Sequence, residues 1–170
     1  MIIIVEGMDN TGKTTLVEQL VRETGYDRVR SPGPQSLEDM IDGVETCLIS
    51  DNIIYDRFPL ISEEVYGPAL RGYSLWEFSR WREYFIQLLQ LKPLFIYCRP
   101  GRETILKSIN QRDQLKGVVD RASVIIDTYD WFFSYLRKSY PLDLIVHNYR
   151  EDPLAKNIFQ RIEKKERDNI

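Results

Sequence analysis

The eight residues from Gly7 to Thr14 have the sequence G-M-D-N-T-G-K-T, which fits the pattern G-x-x-x-x-G-K-[ST] at every fixed position. The glycines let the backbone curl, so that successive N–H groups point inward at phosphate oxygens. Lys13 would supply a cation for the β- and γ-phosphates, and the Thr14 hydroxyl can ligate Mg²⁺. The segment therefore predicts a phosphate-binding loop (P-loop) for a nucleoside triphosphate. The residues predicted to bind it are Gly7, Asn10, Thr11, Gly12, Lys13, Thr14 and Thr15.

The context of the loop supports this interpretation. An aliphatic run over residues 1–5 precedes it, and an amphipathic helical pattern over residues 13–23 follows it. That order would aim the positive end of a helix dipole at the phosphates. In the alternative, a glycine turn that only caps a helix, both the motif and its context would be accidental.

A second candidate site follows the short β-rich run at residues 52–55, where Asp56 and Arg57 stand side by side. An open α/β sheet binds its ligands at the carboxyl ends of the strands. There an acid can assist Mg²⁺ or a nucleophile, and a guanidinium can clamp a phosphate with two hydrogen bonds. The alternative is an ordinary surface ion pair. The combination with a P-loop favours a functional role.

The wider pattern alternates short β-rich runs with longer helical ones. Five strands separated by helices predict an α/β protein, a three-layer P-loop NTPase fold whose parallel sheet is flanked by helices on both sides. Helices are predicted to begin at two capping boxes, Ser36 with Asp39 and Ser74 with Glu77. The predicted strands cover residues 1–5, 28–30, 52–55, 94–98 and 142–147.

Composition excludes several other classes of protein. The chain has 170 residues, of which 43% are apolar and 29% charged, as expected for one globular domain. No apolar run is long enough to span a bilayer, and residues 1–5 lack the features of a secretory signal. Cys47 and Cys98 lie in apolar surroundings, which indicates reduced cysteines and a cytoplasmic protein. The net charge of -3 makes a nucleic-acid partner unlikely.

Three motifs together resemble the thymidylate kinase-like family of nucleoside monophosphate kinases. Residues 6–15 are similar to the family's E-G-x-D-x-x-G-K-T-T loop, and residues 30–33 to its R-E-P-G turn. Asp56-Arg57-Phe58, followed by Ser62 and Tyr66, resembles its D-R-[YF] motif. The short form of the chain looks most like the deoxynucleotide kinases of bacteriophages. The resemblance covers most of the chain in element order, but its specific motifs all lie before residue 70.

The resemblance implies one domain over residues 1–170 and a role for each matching residue. Asp9 would accept the 3′-hydroxyl of a monophosphate substrate, Arg30 and Arg57 would hold its phosphate, and Tyr66 would lie near C2′ of the sugar. For Asp9 a helix cap, and for Tyr66 a place in the core, stay open as alternatives. The implied substrate site consists of Asp9, Arg30, Arg57, Phe58 and Tyr66. The implied catalytic group consists of Lys13, Asp56, Arg57 and Arg112, with Thr14 and Asp56 at the metal.

The resemblance also implies a lid over residues 99–120, whose arginines close over ATP. Arg112 would stabilise charge on the transferring phosphoryl group. Arg99 would lie beside the adenine, or would only mark the exit of a strand. Lys107 is more simply explained as part of a solvated helix face.

The chain departs from the family at the base pocket. The family's base-stacking phenylalanine and its arginine are missing from residues 36–48, and the spacing from Asp56 to Tyr66 is one residue longer than usual. The pocket must be built from other residues, although helical spacing favours a core position for two of the candidates, Trp76 and Phe78. The candidates are Phe58, Tyr66, Trp76, Phe78 and Arg80.

These observations predict an ATP- and Mg²⁺-dependent kinase that converts a deoxynucleoside monophosphate to the diphosphate, with thymidylate or a modified pyrimidine nucleotide favoured. We expect it in the cytoplasm, which is the host's if a bacteriophage encodes it, and the resemblance makes a homodimer plausible. One alternative is a kinase of a nucleoside or of a hydroxymethylated base in DNA. Another is a nucleotide switch, although the chain has no Asn-Lys-x-Asp segment to read guanine.

Overall fold

The computed structural model describes residues 1–31, 36–109 and 117–168. Within them a five-stranded sheet has the order β2-β3-β1-β4-β5, and every neighbouring pair is parallel. This confirms the predicted α/β class and P-loop NTPase fold. The strands are β1 Ile2–Glu6, β2 Asp27–Arg30, β3 Ile53–Asp56, β4 Leu94–Cys98 and β5 Asp143–His147.

Helices cover both faces of the sheet and make three layers. Alternation along β1 shows how, because Ile2 and Ile4 join one apolar core while Ile3 and Val5 join the other. The larger core lies under α2 to α6, and the smaller one lies under α1 and α7. The helices are α1 Lys13–Thr24, α2 Leu37–Leu48, α3 Pro59–Arg71, α4 Phe78–Gln90, α5 Arg102–Ser108, α6 Ala122–Ser139 and α7 Lys156–Asp168.

The structure has a helix, α3, over residues 59–71, where no helix is predicted from the sequence. The sequence does not predict this helix because it contains Gly67 and Pro68, and these residue types usually mark turns. The glycine is needed for packing. A Cβ at position 67 would lie 2.5 Å from Oε1 of Glu63, which pairs with Arg71 and accepts the Leu75 backbone N–H. The helix therefore tolerates a poor helix former so that Glu63 can organise the turn that follows.

The two predicted capping boxes have different outcomes. The one at Ser36 is confirmed, since its Oγ accepts the Asp39 N–H at 3.1 Å and the Asp39 carboxylate accepts the Ser36 N–H at 3.2 Å. The one at Ser74 is wrong, because α4 begins four residues later and the Ser74 hydroxyl donates to Glu64 instead. Phe78, expected in the core, is 68% exposed.

The carboxyl ends of β1, β3 and β4 meet at one edge of the sheet. The backbone N–H of Arg57 continues the β3–β1 ladder by donating to the Val5 carbonyl at 3.0 Å. Arg57 then takes a left-handed conformation with φ of 73°, uncommon for a residue with a side chain. That turn brings its guanidinium to the loop that follows β1. Among the described residues, no helix has the length and apolarity needed to cross a membrane.

The close approach of the loop after β1 to β4 generates a stability prediction. Gly7 has φ of 140°, and a Cβ there would lie 2.5 Å from the backbone oxygen of Cys98. Gly25 is the matched control, since its φ is also positive, at 70°, but nothing lies within 4 Å of its Cβ position. Gly25→Ala should lower the free energy of unfolding by about 1 kcal/mol and Gly7→Ala by about 3 kcal/mol or more. Urea denaturation measures both, and equal losses would contradict the clash.

Candidate functional site

The loop between β1 and α1 is held by its own polar side chains. Thr11 Oγ1 donates to the Met8 carbonyl at 2.7 Å, and Asn10 Nδ2 reaches the Ser108 carbonyl of the α5 segment at 2.8 Å. Gly12, with φ of 85°, turns the chain into α1, whose first turn exposes Thr14 and Thr15. The helix therefore begins where a bound phosphate would meet its free N–H groups.

Lys13 lies folded against this loop. Its Nζ donates to the Met8 carbonyl at 2.6 Å, and the residue is only 6% exposed. Burial, together with the positive charge of Arg57, lowers the pKa of Lys13 to about 8. A phosphate at the loop would reverse this effect, because an anion favours the charged amine.

Arg57 joins the loop to the end of β3. Its Nη2 donates to Asp9 Oδ1 at 2.7 Å and to the Tyr66 hydroxyl at 3.0 Å, and that hydroxyl donates to Asp9 Oδ2 at 3.3 Å. Burial raises the pKa of Asp9, but the charges of Arg57 and Lys13 and the two hydrogen bonds outweigh it and leave the pKa lowered. The structure thus brings Asp9, Lys13, Arg57 and Tyr66 together around one ionised carboxylate.

Glu6 and Tyr129, behind Arg57, complete this cluster, and neither has a role predicted from the sequence. Glu6 is fully buried and accepts hydrogen bonds from the Phe58 backbone N–H at 2.6 Å, Ser62 Oγ at 2.9 Å and the Tyr129 hydroxyl at 2.9 Å. The Tyr129 hydroxyl in turn accepts from Arg57 Nη1 at 3.2 Å. Burial raises the pKa of Glu6, although Arg57 and the three donors act in the opposite direction. An acid that ends an aliphatic strand was the available signal; Tyr129 was indistinguishable from a core residue.

Asp56, at the end of β3, forms an ion pair with Arg28 of β2. Its carboxylate and the Thr14 hydroxyl are the hard oxygen ligands that Mg²⁺ prefers, and Mg²⁺ usually needs only one or two carboxylates beside phosphates and waters. The described part of the chain contains no cluster of three or more acidic, histidine or cysteine ligands. A metal held by Thr14 and Asp56 would therefore take its remaining ligands from a bound nucleotide and from water.

The other predicted substrate residues differ in their placement. Arg30 is exposed at the end of β2. It lies in register with Asp56 of β3, the residue that precedes Arg57. Phe58 is fully buried and packs edge-on against Tyr55, with ring centroids 5.1 Å apart. We therefore correct its assignment, because a side chain with no exposed surface is a core residue and not a substrate contact. Trp76 is likewise buried, with its indole N–H on the Pro59 carbonyl.

The predicted lid is described only in part. Arg99 follows β4 and forms a forked pair with Asp130 of α6, with both N···O distances 2.8 Å. Arg102, at the start of α5, pairs with Asp127, which also lies on α6. Lys107 is exposed and lies 3.7 Å from Glu103, one helical turn earlier. Arg112 lies outside the described residues, so its catalytic role stays a prediction.

The lowered pKa of Lys13 predicts proton uptake on binding. At pH 8 about half of the free side chains are neutral, and a triphosphate that raises this pKa must draw in a proton. The affinity for a non-hydrolysable triphosphate should fall as the pH rises through 8. Calorimetry in two buffers of different ionisation enthalpy measures the uptake.

The matched control is Lys13→Arg, which keeps a cation that does not titrate in this range. Proton uptake should disappear in this variant, and the pH dependence of its affinity near pH 8 should flatten. Equal uptake by the two proteins would assign the proton to another group.

The sequence matches no protein-family model and no curated protein. Solved structures do resemble the fold. The YorR protein of Bacillus subtilis, solved with phosphorylated GDP, is 21% identical, with a TM-score of 0.80 over 98% of both chains. Deoxyadenosine kinase of M. mycoides, solved with dCMP and dCDP, is 15% identical, with a TM-score of 0.64 over 96% of this chain and 99% of that one. Thymidylate kinase of Candida albicans is 14% identical, with a TM-score of 0.64 over 97% of this chain and 92% of that one.

Proposed function

We propose that this protein is an ATP- and Mg²⁺-dependent kinase that transfers the γ-phosphoryl group to a deoxynucleoside monophosphate and releases the diphosphate. Thymidylate, or a modified pyrimidine nucleotide, is the favoured acceptor. The observation that carries the proposal is the guanidinium of Arg57, which is bound to Asp9 of the P-loop beside the ammonium of Lys13. Two cations, one from the start of α1 and one from the end of β3, thus share one site.

The electrostatics of this pair favour polyanions. Arg57 lowers the pKa of Lys13, which means that the two charges repel each other in a largely buried place. One carboxylate, Asp9, attracts both charges, and phosphates that bind there would relieve the remaining repulsion. Transfer between two polyanions needs mainly positioning and charge neutralisation, and preformed cations supply both without reorganising during the reaction.

The proposed roles follow from these positions. Lys13 holds the β- and γ-phosphates, Arg57 holds the acceptor phosphate, and Arg112 closes over the transferring group. Asp9 and Arg30 place the acceptor, with Tyr66 beside its sugar. When bound, Mg²⁺ would neutralise charge on the donor phosphates, held by Thr14 and Asp56.

A monophosphate acceptor suits the site better than a nucleoside. A nucleoside hydroxyl needs a general base within reach. In the described residues around Arg57, each carboxylate is already engaged: Asp9 by Arg57, Asp56 by Arg28, and Glu6 by three donors. A phosphate brings its own negative charge and needs cations instead.

The structural neighbours include kinases named for both kinds of acceptor, a nucleoside and a monophosphate, so they support phosphoryl transfer to a nucleoside or a nucleotide, and the choice of a monophosphate rests on the site itself. One is a deoxyadenosine kinase solved with the products dCMP and dCDP, another a thymidylate kinase described as having broad substrate specificity, and the third was solved with phosphorylated GDP. For this chain they motivate a panel that includes purine as well as pyrimidine nucleotides.

The activity itself is tested with ATP, Mg²⁺ and each common nucleoside, deoxynucleoside and monophosphate, with product separated by ion-exchange chromatography. We expect ADP and a deoxynucleoside diphosphate in equal amounts from at least one monophosphate, and no product from nucleosides. Phosphate incorporation into nucleosides or hydroxymethylated DNA would favour the corresponding alternative. Hydrolysis of ATP without any acceptor product would favour a switch.

Replacing Arg57 by lysine tests its role at the acceptor phosphate. Lysine keeps the charge but cannot bond Asp9, Tyr66 and Tyr129 together, because it offers a point charge instead of a planar fork. We expect kcat/KM for the acceptor to fall about 100-fold, with the KM for ATP changed much less. Arg22→Lys, at an exposed site on α1, is the control and should match the wild type. A fall of less than twofold for Arg57→Lys would contradict the role.

A further inference from the structure

Helix α6 meets the candidate site with two consecutive side chains, Tyr129 and Asp130. Neighbouring residues on a helix point about 100° apart. Tyr129 faces the ends of β1 and β3, where it contacts Glu6 and Arg57, whereas Asp130 faces the end of β4, where it contacts Arg99. One helix thus contacts arginines that the sequence analysis placed on opposite sides of the site.

The contact to Arg57 is a relay with a fixed direction. An arginine can only donate, so the Tyr129 hydroxyl must accept from Nη1 at 3.2 Å and direct its own proton to Glu6 Oε2 at 2.9 Å. The ring is fully buried and cannot drift. It stacks on Tyr97 with centroids 5.6 Å apart and meets Tyr66 edge-on at 6.1 Å.

The contact to Arg99 is a forked ion pair. The two oxygens of Asp130 accept from Nε and Nη2 of Arg99, both at 2.8 Å, which fixes the plane of the guanidinium as well as its position. The Tyr97 hydroxyl donates to the same carboxylate at 2.7 Å. The Tyr97 ring also stacks on Tyr129. The contacts to Arg57 and to Arg99, which we call the two branches, therefore touch each other directly.

We propose that Tyr129 and Asp130 are positioning residues that set the spacing between the two sides of the active site. Tyr129, backed by Glu6, aligns Arg57 for the acceptor phosphate, and Asp130 aligns Arg99 for the donor nucleotide. The identity of the two sides rests on the proposed kinase function. Both residues act through an arginine.

The rigidity of α6 makes this arrangement effective. The helix has 18 residues, and its inner face is buried along its length by side chains that include Ile125, Phe132, Phe133 and Leu136. In-line transfer is sensitive to position, because a displacement of about 1 Å can cost about 100-fold in rate. Anchoring both arginines on one helix keeps their separation constant when other segments move.

Two conservative substitutions should separate the branches. Tyr129→Phe keeps the stacked ring and removes the relay; it should lower kcat/KM for the acceptor about 10-fold and leave the KM for ATP unchanged. Asp130→Asn keeps the shape and removes the charge; it should raise the KM for ATP about 10-fold and leave the KM for the acceptor unchanged. The control is Tyr55→Phe, which removes another buried hydroxyl that lies near Cys47 and Ser50, and it should change neither constant. Changes in both constants together, or in neither, would overturn the proposal.

A second measurement does not depend on catalysis. Arginine side-chain NMR signals of the free protein, assigned with Arg57→Lys and Arg99→Lys, report the order of each guanidinium. Tyr129→Phe should shift or broaden only the Arg57 signal, and Asp130→Asn only that of Arg99, in variants whose thermal unfolding shows that they are folded. Unmoved signals would overturn the alignment even in an active enzyme. Selective shifts in a protein that phosphorylates no nucleotide would support the alignment and refute the proposed function instead.

Discussion

The whole site depends on keeping the guanidinium of Arg57 charged and oriented where little water reaches it. A buried charge costs several kcal/mol unless partners compensate for it. Here the compensation comes from three directions: the Asp9 carboxylate, the hydroxyls of Tyr66 and Tyr129, and Glu6 behind Tyr129. The ring of Tyr66 adds a cation–π contact, 4.8 Å from the guanidinium carbon. Since these partners come from β1, its loop, α3 and α6, the arginine also joins four parts of the fold.

The fold and the positions of the main cationic side chains could be predicted from local patterns. The hydrogen bonds that join these side chains to distant parts of the chain could not. The aliphatic strands and the G-x-x-x-x-G-K-T loop follow from periodicity and spacing, so the sheet and the place of Lys13 in the loop could be predicted. Helix α3 was missed because Gly67 and Pro68 imitate a turn, and only the contact with Glu63 explains the glycine. Tyr129 has the spacing of a core residue, and nothing local distinguishes a buried hydroxyl that bonds Arg57 from one that bonds nothing. Phe58 was placed in the substrate site through its position in the D-R-[YF] motif, and a motif position does not tell whether the side chain is buried.

Ion pairs between distant segments have a common form around the site. Arg28 of β2 pairs with Asp56 of β3, Arg57 with Asp9 of the loop, and Arg99 with Asp130 of α6. Each arginine is thus held before any ligand arrives, which limits the conformational entropy lost on binding. The same pairs reduce the repulsion among the cations in the free protein.

This arrangement also limits how tightly the site can hold its ligands. A phosphate that approaches Arg57 must share the guanidinium with Asp9 or displace it, so part of the new attraction offsets a lost ion pair. In the proposed function, the net affinity would therefore be smaller than the number of cations suggests, and Asp9 would favour an acceptor with a sugar hydroxyl near its phosphate. Moderate affinity would suit the proposed kinase, whose product is more highly charged than its acceptor, because interactions that bind ground and transition states equally do not raise kcat.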